Sequence, residues 1–147
     1  MSQTDESQSS DADSTEKASE TVHREYLLDV RIVAVRDGDA ETRYRFEAPH
    51  HVGAVFEDPE LAELYADVYF DVNGFDEAGT GDRGVPPEII QAGRDTLAAY
   101  FLTRPGIDTD WVASFFGVKR ERIETYVEWV RQRGTEIRAG ARDAGLE

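Results

Sequence analysis

Residues 109–127 read TDWVASFFGVKRERIETYV, an apolar segment and a charged segment that meet at Gly117. Asp108 or the residue after it can cap a short helix through its side-chain oxygen, and Gly117 favours the left-handed conformation that ends one. Ala113 is small enough to let two helices cross closely. The apolar residues around the turn are Val112, Phe116, Val118, Ile123 and Tyr126. This stretch predicts two helices joined by a sharp turn, within residues 108–133.

The same spacing resembles that of the helix-turn-helix family of DNA-binding proteins. A small residue, Ala113, is followed four positions later by Gly117 and six positions after that by a branched apolar residue, Ile123. The resemblance covers residues 109–127. In that family the second helix lies in the major groove of DNA.

Carried over residue by residue, the resemblance implies two roles at the start of the second helix. Backbone phosphates would be contacted by Lys119, Arg120 and Arg122. Base edges would be met by Glu121 and Thr125, since a glutamate can accept a hydrogen bond from cytosine.

The outward face of this helix also supports a second hypothesis. Three glutamates, Glu121, Glu124 and Glu128, would repel phosphates. The pairs Arg120–Glu124 and Glu128–Arg131 have the spacing of ordinary ion pairs on a solvated helix face. Because three-helix units also serve as protein-binding modules, the alternative is an adaptor that does not bind DNA.

The rest of the last helix carries two further signals. Trp129 lies off the apolar stripe, which indicates either an interface or packing against the N-terminal strands. The stripe continues through Gly134, Ile137 and Ala141, and Gly134 permits close approach of a neighbour. We expect this segment to pack on another element, such as a twin helix in a homodimer.

Two more helices are predicted before the motif. The first begins at Asp58-Pro59 and ends near Asn73-Gly74, with apolar residues at helical spacing: Leu61, Leu64, Tyr65, Val68 and Tyr69. The second is predicted as one continuous helix from Pro86-Pro87 to Pro105-Gly106, and it would complete a three-helix unit. Residues 75–84 between them read as an acidic, glycine-rich loop.

A β-hairpin is predicted for residues 23–56, with strands at Tyr26–Arg36 and Glu41–Ala48. A two-residue loop at Asp37-Gly38 would put apolar residues beside charged ones. We therefore expect a loop of three or five residues around Gly38. Leu28, Val30, Ile32 and Ala34 would then lie beside Ala48, Phe46, Tyr44 and Thr42. Since an isolated hairpin is marginally stable, it must lie on helices or pair with another strand.

The charge pattern is unusual. Acidic residues number 31 and basic residues 16, of which only Lys17 and Lys119 are lysine. Such a composition resembles that of halophilic proteins, whose self-repulsion is screened at molar salt, where the Debye length is about 3 Å. Residues 1–118 carry a net charge of −16 and residues 119–147 one of +1. The basic end indicates either a nucleic-acid face or a helix C-terminus with favourable cations.

Composition also excludes several classes of protein. Residues 1–22 are polar and acidic, and we expect them to form a disordered tail. The absence of cysteine excludes disulfides and thiolate metal sites. No apolar run approaches the roughly 20 residues of a membrane helix, and the N-terminus lacks the apolar centre of a signal peptide. We expect a cytoplasmic protein with no membrane partner.

Three patterns that could indicate chemistry are set aside. Residues 79–84 read GTGDRG, but a phosphate cradle requires a preceding strand and a following helix, and here acidic residues and prolines flank it. The acidic residues of 71–82 lack the spacing of a calcium loop. His50 and His51 are adjacent, so on a strand they point to opposite faces and chelate one metal poorly. We expect no metal, no cofactor, no small-molecule substrate and no enzymatic activity.

The predicted fold class is α+β. The β-hairpin region, 23–56, is followed by a mainly helical domain, 57–147, that ends in the helix-turn-helix. The first hypothesis for function is a small transcriptional regulator that binds double-stranded DNA as a homodimer. The alternative is a protein–protein adaptor or assembly module.

Overall fold

The apolar and polar residues that alternate in the first half of the chain form an antiparallel sheet, and helices cover one face of it. The structure, a computed structural model, describes residues 19–51, 53–75 and 84–145. Its strands lie in chain order across the sheet: β1 (Ser19–Glu25), β2 (Arg31–Arg36), β3 (Arg43–Glu47) and β4 (Ala54–Phe56). A mainly helical region follows. This arrangement confirms the predicted α+β fold class.

The register between β2 and β3 differs from the predicted one by two residues. Ile32 pairs with Phe46 and Ala34 with Tyr44, so these four residues share one face as predicted, but with different partners. Leu28, also predicted to face inward, lies in the turn before β2 and is exposed. Between the last paired residues, Val35 and Arg43, lie seven residues, 36–42, so the connection is odd in length as predicted but longer than three or five. The strand predicted at Tyr26–Arg36 is shorter in the structure, where it is β2. Residues 26–30 form a turn instead, in which the Tyr26 N–H donates to the Val30 carbonyl.

β1 overturns part of the predicted disordered tail. Residues 19–22 belong to this edge strand, where Val22 pairs with Val33 of β2. The exposed side chains of β1 explain why the pattern missed it, because backbone hydrogen bonds hold the strand rather than apolar burial. The Glu20 carboxylate also lies 3.0 Å from a guanidinium nitrogen of Arg45. Residues 1–18 of the predicted tail lie outside the described residues.

The first predicted helix is confirmed, and the second is wrong. α1 (Pro59–Asp71) begins where expected, with the Asp58 side chain accepting a hydrogen bond from the Glu60 N–H. The region from Pro86 onward contains two helices, α2 (Pro87–Ala92) and α3 (Arg94–Leu102). They break at Gly93, whose φ of +125° is open to glycine and not to a residue with a Cβ. Residues 76–83, including most of the predicted loop and of the GTGDRG pattern, lie outside the described residues.

The bend at Gly117 is confirmed. α4 (Thr109–Phe116) starts at Asp108, whose carboxylate accepts a hydrogen bond from the Trp111 N–H at 2.8 Å. Gly117 has a φ of +68° and ends α4, and the Val118 N–H donates to the Ala113 carbonyl. α5 (Arg120–Asp143) follows. A small apolar cluster holds the turn against α3: Ala98, Val112, Ala113, Ile123 and Tyr126.

The second half of α5 packs on α1 of the same chain. Gly134 faces Asp67 so closely that a Cβ there would lie 2.9 Å from the Asp67 Oδ1. Arg138 donates to that buried carboxylate at 2.8 Å. Burial raises the pKa of Asp67, and the guanidiniums of Arg138 and Arg131 oppose this shift. The stripe through Gly134, Ile137 and Ala141, predicted to pack on another element, therefore packs on α1. Contacts with α1 and α3 hold α5 in place and leave its first turn at the surface.

Candidate nucleic-acid interface

Three cationic side chains meet at the start of α5. These side chains, from Arg94, Lys119 and Arg122, line a surface cavity with a volume of about 690 Å³. Its other lining residues are Val118, Glu121 and Tyr126. Lys119 and Arg122 belong to the start of α5, and Arg94 comes from the first turn of α3. We call this surface the α5 concavity.

Local structure explains how these cations come together. The left-handed Gly117 reverses the chain, so Lys119 becomes the residue that precedes the first turn of α5. No side chain of the described residues caps that turn, and the helix dipole places partial positive charge there. The Arg94 guanidinium lies 5.6 Å from the centroid of the Phe116 ring, which holds it beside the end of α4.

These three cations differ from the arginines further along α5. Among the described residues, no carboxylate forms an ion pair with Arg94, Lys119 or Arg122. By contrast, Arg133 contacts Asp71 at 2.8 Å and Asp95 at 2.9 Å. The hydrogen bond to Asp71 raises the pKa of Arg133. In a chain with nearly twice as many acids as bases, these three cations form a local excess of positive charge.

Arg120, predicted to contact phosphate, is engaged by carboxylates instead. Its Nη1 lies 2.8 Å from the Asp110 Oδ1, and its Nε lies 4.0 Å from the Glu124 Oε2, which is the pair expected from the sequence. The other expected pair, Glu128–Arg131, is replaced by an ion pair between Arg131 and Asp67. Arg120 is therefore less available to a phosphate than Lys119 and Arg122.

The predicted base-reading residues lie on the same exposed turn. Thr125 donates a hydrogen bond from its hydroxyl to the Glu121 carbonyl at 3.0 Å. The Glu121 side chain lines the α5 concavity and lowers its positive charge. The structure thus brings together Lys119, Glu121 and Arg122, and it adds Arg94, which the sequence analysis missed. No sequence signal pointed to Arg94, because it was predicted inside a continuous helix and lies in the first turn of α3 only through the break at Gly93.

An exposed group of aromatic rings lies beside this surface. Trp111 and Phe115 stack on the outer face of α4 with their centroids 5.4 Å apart. Phe101 of α3 contacts both rings, at 5.8 and 5.2 Å, and Phe116 contacts Phe115 at 5.1 Å. We call these four residues the α4 aromatic patch. Trp129 is a separate exposed ring that packs beside Tyr126 on α5.

Two of the three histidines, His23 and His51, have structural partners. His51 accepts a hydrogen bond at Nδ1 from the Gly53 N–H, and its Nε2 lies 2.8 Å from the Tyr65 hydroxyl. His23 lies 2.9 Å from Glu63. In the described part of the chain, no group of three or more histidine and carboxylate side chains is arranged to hold a metal ion. None of the helices in that part is long and apolar enough to span a membrane.

Comparisons of the chain with protein-family models, with curated proteins and with solved structures found no match. The resemblance of residues 109–127 to the helix-turn-helix family therefore remains a prediction from the sequence.

Proposed function

We propose that this chain is a small DNA-binding protein, a transcriptional regulator that binds double-stranded DNA through the start of α5. The observation that supports this proposal is the meeting of Arg94, Lys119 and Arg122, unpaired among the described residues, in one concave surface. Such an arrangement favours a backbone phosphate, because cationic side chains and the amides of a helix N-terminus bind phosphate together.

The direction of α5 fits this role. A helix that enters the major groove reads bases with the residues of its first turns, while flanking cations hold the phosphates. Glu121 and Thr125 lie on those turns, between Lys119 and the exposed Glu128. Glutamate accepts a hydrogen bond from the cytosine amino group, so we expect a preference for sites that present cytosine there.

The acidic remainder of the protein restricts where DNA can lie. A net charge of −15 repels DNA from most of the surface and favours regions where unpaired cations lie close together, as Arg94, Lys119 and Arg122 do. At the high salt expected for a halophilic, cytoplasmic protein, this repulsion is screened within a few ångströms. DNA readers commonly bind paired half-sites, so we propose a homodimer as the active form.

The test is fluorescence anisotropy of a labelled duplex of mixed sequence, titrated with the protein over a series of KCl concentrations. We expect Lys119→Glu/Arg122→Glu to weaken binding by at least about tenfold. We also expect the slope of log affinity against log salt to fall by about 2, because each lost phosphate contact removes about 0.9.

The matched control is Arg36→Glu/Arg43→Glu, which makes the same charge change on the sheet. Both arginines are exposed and have no ion pair among the described residues. If the two double variants weaken binding equally, only net charge matters and the α5 concavity is not the site. If the unaltered protein binds no duplex at any salt concentration, the DNA-binding proposal is wrong.

A second candidate function is supported by the α4 aromatic patch. Exposed aromatic clusters are typical of protein–protein interfaces, so the chain could act as an adaptor on the same fold. Absence of DNA binding together with a stable protein complex that Trp111→Ala disrupts would favour the adaptor.

A further inference from the structure

Trp129 is a large aromatic residue on the outer surface of α5. It is 44% exposed, and the ring beside it is that of Tyr126, with the two centroids 5.9 Å apart. In the described part of the chain, nothing accepts a hydrogen bond from its indole N–H. The side chain therefore offers a partner molecule both an apolar ring face and an unused hydrogen-bond donor.

Helical geometry places Trp129 on the same flank of α5 as the α5 concavity. Arg122 and Tyr126, which line the concavity, precede it by seven and three residues. Because seven residues make almost two turns, Trp129 lies only about 20° around the helix axis from Arg122 and about 10 Å further along it. On the circumference of the helix it lies between Arg122 and Thr125. The surface that begins with the unpaired cations thus continues to Trp129.

The charges change beyond this position. Arg133, one turn after Trp129 on the same flank, contacts Asp71 at 2.8 Å and Asp95 at 2.9 Å. Those two carboxylates and that of Glu88 line the next depression of the surface. Trp129 therefore lies where the unpaired cations end and a region lined by carboxylates begins. A contact with DNA at this position has to be made without a charged side chain.

We propose that Trp129 is a DNA-binding residue that packs its ring on a deoxyribose and donates its indole N–H to a backbone phosphate. The inference rests on the proposed function, because it extends the contact that begins at Lys119 and Arg122. Most hydrogen bonds between proteins and DNA go to phosphates and sugars, and they fix how a helix lies on the duplex. In this role Trp129 sets the orientation of α5, and Thr125 beside it meets the bases.

An uncharged contact has a physical advantage in the salt expected for this protein. Cationic side chains lose much of their effect at high salt, because their affinity depends on the release of counterions from DNA. Burial of an apolar ring is not a charge interaction, so salt does not screen it. We therefore expect removal of Trp129 to weaken binding by the same factor at every KCl concentration.

The first test leaves Trp129 intact. The Trp111→Phe variant retains Trp129 as its one tryptophan, and the matched control, Trp129→Phe, retains Trp111, which is 45% exposed. Binding of each full-length variant is measured by anisotropy of a labelled duplex of mixed sequence in KCl. Tryptophan emission is measured with the unlabelled duplex, at an excitation wavelength that DNA does not absorb. We expect the emission of Trp129 to fall in proportion to the bound fraction and that of Trp111 to stay constant.

The second test uses alanine variants whose folding is checked by circular dichroism. Trp129→Ala should weaken binding by about tenfold, a moderate loss for the truncation of an interface tryptophan. The slope of log affinity against log salt should not change, because no phosphate loses a cation. The matched control, Trp111→Ala, should bind the duplex like the unaltered protein.

The outcomes separate this inference from the proposed function. If the protein binds the duplex but the emission of Trp129 stays constant, or changes no more than that of Trp111, the role of Trp129 is wrong and DNA binding stands. A smaller salt slope in Trp129→Ala also overturns the inference, since the loss then comes from displaced cations. If the unaltered protein binds no duplex, the DNA-binding proposal is wrong and this inference with it.

Discussion

Replacing Gly134 with alanine should destabilise the protein, although alanine is the better helix former. Gly134 lies in the middle of α5 where it crosses α1. A Cβ there would lie 2.9 Å from the Asp67 Oδ1, 3.0 Å from the Asp67 carbonyl oxygen and 3.1 Å from its Cα. Two of these three atoms are backbone, so the helices must separate or the Asp67 backbone must move.

The magnitude follows from two opposing effects. Overpacking of a tight contact costs about 1–3 kcal/mol, and here the cost should lie near the upper end because the displaced carboxylate also binds Arg138 at 2.8 Å. Removing glycine from a helix interior returns about 1 kcal/mol. We expect Gly134→Ala to lose about 1–2 kcal/mol of unfolding free energy.

Gly140 provides the matched control within the same helix. An added Cβ at Gly140 has no atom within 4 Å, so Gly140→Ala should gain up to about 1 kcal/mol from helix propensity alone. Urea unfolding in high KCl, followed by circular dichroism, measures both variants. If Gly134→Ala proves as stable as Gly140→Ala, the close packing of α5 on α1 is refuted.

Two further predictions concern single side chains. Burial raises the pKa of Tyr26 to about 12, so the unfolded chain ionises first as pH rises above 10, and stability should fall by at most about 3 kcal/mol between pH 10 and 12. Tyr26→Phe should remove this alkaline loss and be no less stable at neutral pH, because the buried hydroxyl has no hydrogen-bond partner among the described residues; a loss that persists in the variant would contradict the assignment. At Gly117, where φ is +68°, alanine should cost about 1 kcal/mol and asparagine less, and equal melting temperatures for the two variants would argue against the left-handed turn.

Local signals predicted the ends of several helices correctly. Asp58 and Asp108 cap α1 and α4 through their own side chains, and Gly117 ends α4 through its own backbone conformation. Each of these features depends on a few consecutive residues. Gly93 shows the limit of such signals, because a glycine inside a helical pattern costs only about 1 kcal/mol, and tertiary packing decides whether the helix continues or breaks.

The strands were harder to predict because their partners lie far away in sequence. Alternation assigned Ile32 and Phe46 to the inner face, but alternation repeats every two residues and cannot distinguish registers that differ by two. The register was set by the length of the connection, which leaves residues 36–42 between the last paired residues of β2 and β3. β1 lacks an apolar pattern, and its backbone hydrogen bonds to β2 depend on the sheet that it joins.

The candidate site was predictable only where it depends on consecutive residues. Lys119 and Arg122 follow directly from the turn at Gly117, so the sequence placed them correctly at the start of a helix. Arg94 joins them only because α3 packs against α4 and α5. The ion pair between Arg120 and Asp110 likewise spans the turn, and its geometry depends on how the two helices cross.

The net charge of residues 119–147 is a poor guide to where an anion would bind. Three of the arginines that make this region basic lie in α5 from residue 131 onward, and α1 carboxylates form ion pairs with them. Arg138 and Arg131 contact Asp67, and Arg133 contacts Asp71. These arginines attach α5 to α1, whereas Lys119 and Arg122 lie ahead of that contact and form no ion pair among the described residues. The charge that remains for a phosphate is therefore concentrated at the first turn of α5, where the helix dipole adds to it.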